Sequence, residues 1–216
     1  VTPAGISALV TRCVDMAKAA PEDEFCGLAP AYELSKADVS ADYTGDPEWS
    51  ADRLKEAALE AEAAAMAVEG VSTVSDCGAG WSMSQAWVGS SNGFRAHRTG
   101  SSSGIGLAVV ASDENGMERD YDSWTTRRAS DRPDNLTVGQ TAATRALSRL
   151  GSRKLDSQTA PVIYDRRVSA GLVRAFLGAI AGPSVARGVS YLKARMDEQI
   201  FSKNINILDD PFRDYG

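Results

Sequence analysis

The change of hydrophobic period at Gly70 constrains this chain more than any other feature. Ahead of it, Ser50 caps a long helix over 51–69, with Leu54, Ala58, Ala61, Ala65 and Val68 on one side. Glu56, Glu60 and Glu62 fall on the solvent side, alanine favours the helix, and Gly70 supplies its C-terminal cap. Beyond Gly70 the pattern alternates. Strands are predicted over 71–76, over a stretch where Trp81, Met83, Gln85 and Trp87 share one face, and over 94–98, 104–112 and 117–128. Gly89-Ser90-Ser91-Asn92-Gly93 and Glu114-Asn115-Gly116 mark turns, the second a strong hairpin signal because Asn-Gly supplies positive φ. Short strands joined by turns describe an antiparallel meander with a helix across one face.

The flanks extend this picture. Thr2 and Pro3 open a helix whose apolar face holds Ile6, Leu9, Val10, Cys13, Val14 and Ala17, and Pro21 stops it. Cys13 is expected as a small core residue on that face. Residues 22–47 form an acidic connector broken by Gly27, Pro30, Gly45 and Pro47. After a proline-containing linker over 131–135, Thr137 caps a helix to Leu150, with Val138, Ala142, Ala146, Leu147 and Leu150 inward. A strand over 161–165, a buried glycine- and alanine-rich helix over 168–180, a second helix over 185–196 and a strand over 200–208 follow, ending at Asp209-Asp210-Pro211. The fold class is α+β: long helices on a mainly antiparallel twisted sheet, followed by the start of a second αβ domain.

A net charge of -6 and a pI near 4.9 argue against a nucleic-acid or anionic-membrane surface. No apolar run is long enough to span a bilayer. The chain opens at Val1-Thr2-Pro3 without a Met or a secretory signal, as a processed or excised chain would. Cys13, Cys26 and Cys77 are odd in number and lack paired spacing, as expected for reduced thiols in a cytoplasmic protein.

Several motifs suggest chemistry and fail on context. Thr99-Gly100-Ser101-Ser102-Ser103-Gly104-Ile105-Gly106 fits the glycine-rich turn of short-chain dehydrogenases, and Tyr32-Glu33-Leu34-Ser35-Lys36 mimics their Tyr-x-x-x-Lys pair. That turn needs a helix N-terminus after it to hold a pyrophosphate, whereas residues 107–116 read as a strand and hairpin. The Tyr/Lys pair also precedes the glycines, so the stretch is expected to be a flexible hairpin loop and no nicotinamide cofactor is assigned. A zinc protease needs two histidines and a general-base glutamate; His97 is the only histidine and reads as a surface strand residue. Asp209-Asp210 reads as a turn opening rather than a hard-metal site, and Ser91 has no base partner in the sequence. Trp81, Trp87 and Trp124 read as sheet core or cross-strand pairs, with a groove for extended peptides as the alternative.

An ordered set of segments resembles the TldD/PmbA family, and within it the PmbA (TldE) branch. They are Ser90-Ser91-Asn92-Gly93-Phe94, Gly116-Met117-Glu118-Arg119-Asp120-Tyr121, Val138-Gly139-Gln140, residues 149–155, Pro161-Val162-Ile163-Tyr164-Asp165, Ala186-Arg187-Gly188-Val189-Ser190-Tyr191-Leu192 and 205–211. The resemblance implies that residues 1–37 are the tail of an N-terminal domain. It makes 38–152 a middle helix-plus-sheet domain and 158–216 the start of a C-terminal domain, most of which is absent, so that apolar surface is exposed. TldD-type members carry His-Glu-x-x-x-His on the helix before the Asp-Asp turn. Counting back from Asp209-Asp210, those positions hold Val173, Arg174 and Gly178. Neither Val nor Gly can ligate a divalent ion, and an arginine repels one. The resemblance therefore implies a metalloprotease subunit with no catalytic, cofactor-binding or metal-binding residue of its own. Zinc would sit in a sister subunit carrying His-Glu-x-x-x-His, and the assembly would act on unfolded or flexible peptides. The family is linked to maturation of a peptide antibiotic and to degradation of an antitoxin, and it bears the label modulator of DNA gyrase. The alternative is a homodimeric or larger homo-oligomeric peptide-binding or regulatory protein without hydrolytic activity.

Overall fold

The computed structural model describes residues 2–23, 26–34 and 43–210. Ser35 and Lys36, the expected boundary at 37–38 and Pro211 lie outside them. The chain divides into two units, Tyr32–Thr159 with Ile207–Gly216, and Val1–Ala31 with Ala160–Asn206.

The first unit is a helix layer on a three-stranded meander. The helices are α2 (Ala51–Met66) and α3 (Asn135–Leu147), numbered after α1 (Pro3–Ala19) of the other unit. The strands are β1 (Val71–Gly89), β2 (Arg95–Asp113) and β3 (Gly116–Thr126), ordered β1-β2-β3 and antiparallel throughout. Five short strands were expected and three long ones form. The break expected after Asp76 falls at Gly78 and Gly80, which pair with Gly106 and Gly104, and the break expected after Arg98 falls at Gly100, which pairs with Ser84, so the strands run through them. The Asn115-Gly116 turn forms where expected, held by Asp113 Oδ1 accepting from the amides of Asn115 (2.8 Å) and Gly116 (3.1 Å).

Alternation along β2 builds the core. Ile105, Leu107, Val109 and Ala111 face α2 and α3 and meet Ala57, Ala61, Ala65, Val138, Ala142, Ala143 and Ala146. With so few large side chains, the layer is held by close approach. Gly139 sits where the helices cross, and a Cβ there would lie 2.2 Å from the Ala61 carbonyl oxygen. The α2 cap is Ser50, whose Oγ accepts from the Arg53 amide at 3.2 Å. The α3 cap is Asp134 rather than Thr137: its carboxylate accepts from the Thr137 amide at 2.7 Å. Asp precedes the helix by the spacing a side-chain cap requires.

The other unit contains α1, α4 (Arg166–Ile180) and α5 (Gly182–Ala186). Here the expectations fail more often. Residues 161–165 and 200–208 form no strand, and the helix expected over 185–196 is the five-residue α5 followed by turns. A strand exists only when a neighbour supplies the other half of its ladder, and none of the described residues does. Helix α4 was expected to be buried, yet only Ala179 is; Val168, Leu172, Leu177 and Ile180 are each about half exposed. Cys13 is likewise exposed, with Ile6, Leu9, Val10 and Val14 of the same face. A small cluster does form around Phe176, which meets Phe201 edge-on at 5.0 Å, with Leu192 buried nearby.

Candidate functional site

The glycine-rich stretch 99–106 lies in the middle of β2, not in a hairpin loop. Its amides serve the sheet: the strand pairs with β1 on one side, and from Ser103 with β3 on the other. Ser101 is buried. Its amide donates to the Tyr43 carbonyl (2.9 Å), and its hydroxyl accepts from the Gly45 amide (2.9 Å). Arg127 Nη1 also donates to the Tyr43 carbonyl, so a short extended segment is pinned beside β2. No helix follows these glycines before the hairpin at Asp113, and Tyr32 is 83% exposed in a turn. The geometry that cradles a pyrophosphate is not built here.

The positions that would carry a metal motif, Val173, Arg174 and Gly178, are all on α4. Gly178 opens onto space and Val173 is 38% exposed. An apolar side chain, a guanidinium and a bare Cα offer a zinc ion no donor, so these residues do not fit one. Asp209 and Asp210 are exposed, and no group of three or more His, Cys, Asp or Glu side chains converges among the described residues.

His97 lies on β2 near the end of the β1–β2 ribbon. Its ring stacks on Trp87 at 4.4 Å between centroids, and Nε2 contacts Thr99 Oγ1 at 3.3 Å. The three tryptophans do not meet in one groove. Trp81 packs against the core and its Nε1 donates to the Asp46 carbonyl (3.2 Å), while Trp124 Nε1 donates to the Asp122 carboxylate (3.1 Å). Trp87 stands apart and exposed. Ser91 sits in the exposed turn between β1 and β2.

Two polar clusters escaped the sequence reading. On β3, Glu118, Asp120 and Asp122 alternate along one face opposite Arg145 and Arg149 of the α3 end. Asp122 is buried and accepts from Arg145 Nη1, while Ser152 and Arg149 hold the Glu118 carboxyl below the ordinary range. Acids two apart on a strand and arginines four apart on a helix were the available signal. The second cluster surrounds Trp49, which is 5% exposed. Arg53 lies 3.8 Å above its ring and Arg132 at 5.9 Å, where burial and then Arg53 depress the Arg132 pKa. A cleft of about 480 Å³ opens beside it, between the N-termini of α2 and α3. Trp49 Nε1, Arg132 Nε and Asn135 Oδ1 are buried there without a hydrogen-bond partner among the described residues. Cys77 is half-buried against α2, its Sγ 3.3 Å from the Ala58 carbonyl, and burial followed by Glu62 and Asp76 raises its pKa, which makes it a poor nucleophile.

A two-layer α+β unit followed by a helical segment defines the class; the sequence comparisons define the family. Residues 45–150 match the PmbA/TldA metallopeptidase central domain and residues 157–216 the C-terminal domain. The chain belongs to the TldD/PmbA family. Over 211 residues it is 32% identical to Metalloprotease PmbA of Escherichia coli O157:H7, covering 97% of this chain and 47% of that protein. Over 207 residues it is 27% identical to a Metalloprotease PmbA homolog of Haemophilus influenzae, covering 94% and 45%. The chain thus spans about half the length of these curated relatives. Its fold is similar to that of a candidate modulator of DNA gyrase from Bacteroides thetaiotaomicron, with a TM-score of 0.75 at 20% identity over 92% of this chain and 46% of that one. A counterpart from Thermotoga maritima gives 0.63 at 19% identity, over 76% and 41%.

Proposed function

We propose that this chain belongs to a PmbA/TldE-like subunit of a metalloprotease that acts on unfolded or flexible peptides in the cytoplasm. The subunit holds no metal itself and serves as scaffold and partner. The observation that carries this reading is the donor set on α4. Where the TldD-type motif has two histidines and a glutamate, this helix has Val173, Gly178 and Arg174, and the chain's single histidine, His97, lies on a different element. A sister subunit with His-Glu-x-x-x-His would supply zinc and the general base, which together lower the pKa of bound water and polarise the peptide carbonyl. This chain would supply the helix-backed sheet and an interface. The alanine-packed core of the helix-on-meander unit supports that reading.

The test is hydrolysis of an unfolded peptide by the full-length protein, alone and mixed with a His-Glu-x-x-x-His sister chain, with zinc counted in each fraction. Cleavage by the mixture only, with zinc following the sister, is the expected result. Cleavage and zinc in the protein alone would overturn the scaffold role. Peptide binding without turnover in either setting would favour a homo-oligomeric regulatory protein.

A further inference from the structure

The β1–β2 ribbon outgrows its sheet. β3 pairs with β2 from Ser103 to Asp113 only, whereas β1 follows β2 out to the Gly89–Arg95 pair. From the Ser82–Ser102 pair to the turn, two strands continue for about 25 Å at the usual rise per residue. A two-stranded ribbon is marginal in water by itself. Residues 82–89 and 95–98 are exposed throughout, including Met83 at 57%, Trp87 at 68% and Val88 at 56%. The composition of the arm is also one-sided. No acidic residue occurs between Asp76 and Asp113, so all 29 lie elsewhere, while the arm carries Arg95 and Arg98. The outer face of α2 has the opposite character. Asp52 and Glu56 are exposed there beside the apolar Leu59 (52%) and Met66 (46%), with Lys55 among them, while Glu60 at the α3 edge accepts from Asn135 Nδ2 (2.7 Å).

We propose that the arm docks on the outer face of α2 of a second chain of this same fold. Arg95 meets the α2 carboxylates, and Trp87 and Met83, on the same face of the ribbon as Arg95, cover Leu59 and Met66. The inference rests on the partnership proposed above and assigns it a surface. Tryptophan, methionine and arginine are enriched at interfaces, and Trp and Arg dominate their energetics. Opposite charge on the two faces speeds encounter and fixes register. Because each chain carries both an arm and an α2 face, the contact can be reciprocal, which closes a pair instead of starting a filament.

Sedimentation of the full-length protein, with itself and with the sister chain, tests this at constant ionic strength. The variants are Arg95→Glu alone, Trp87→Glu combined with Arg95→Glu (the arm variant), and the charge swap Arg95→Glu with Glu56→Arg. The wild type should associate. The arm variant should bind at least tenfold more weakly with an unchanged urea midpoint, and the charge swap should regain most of the affinity that Arg95→Glu alone loses. Association of the arm variant at wild-type affinity overturns the arm and leaves the partnership standing. A charge swap that regains nothing overturns α2 as the receiving face. A wild type that associates with neither chain removes the partnership and the arm's role with it.

Discussion

The two halves of the β1–β2 ribbon share strands, register and hydrogen-bond pattern but not surroundings. From Val71 to Trp81 and from Ser103 to Asp113, the ribbon has β3 beside it and α2 and α3 above it, and Ile105, Leu107 and Val109 are each at most 3% exposed. From Ser82 to Ser102 the segment at Tyr43–Asp46 and the Arg127 side chain touch it at the base, and beyond them its apolar side chains stand in solvent. Strand geometry is therefore set by the ladder and the turn, whereas the free energy of a side chain is set by what covers it. One strand can be structural at one end and available at the other.

Four measurements would break or sharpen that contrast. The largest effect is expected from Leu107→Ala in the covered half, a loss of about 2–5 kcal/mol in urea unfolding as a cavity opens under the helices. Next is Gly139→Ala. Alanine is the better helix former by about 1 kcal/mol, but its Cβ has no room against Ala61, so a net loss of about 1–3 kcal/mol is expected. A gain instead would mean that α2 and α3 can move apart. The third concerns pH. Hydrogen bonds from Ser152 and Arg149 depress the Glu118 pKa, so its contribution is complete above the ordinary glutamate value of about 4.3 and fades as pH falls through the depressed folded value. The urea midpoint should drop below about pH 4, and Glu118→Gln should flatten that drop; an equally steep curve in the variant would remove Glu118 as a cause. The smallest effect is Trp87→Ala on the arm, within about 0.5 kcal/mol of wild type for the isolated chain. A loss comparable to Leu107→Ala would erase the distinction between the two halves.

Local rules made the covered unit legible. The alanine face of α2, its Ser50 cap and the Asn115-Gly116 turn are each encoded within a few residues, and each is found. The strand count was misread because glycine was taken as punctuation, although Gly78, Gly80, Gly104 and Gly106 sit in register across the ladder, a relation no local window contains. The same limit explains 161–165 and 200–208, where an apolar or alternating pattern is necessary for a strand but does not supply its neighbour. The ion pairs of β3 with Arg145 and Arg149 join residues more than twenty positions apart and become visible only once strand and helix end lie side by side. At α4 the information ran the other way: the residue types alone rule out a metal at those positions, and geometry adds only where they lie.

The meander also dictates an order of assembly. Pairs near the two turns, Ser112 with Met117 and Gly89 with Arg95, bring together residues a few positions apart, so they close early and cheaply. The contact that seals the unit, Gly139 against Ala61, spans most of the domain, so its loop-closure cost is the larger one. Early closure and later cover are thus independent: the Gly89–Arg95 end stays outside the covered half, and the Ser112–Met117 end lies within it. The unit becomes cooperative when α3, the last of its elements to be synthesised, lies down beside α2.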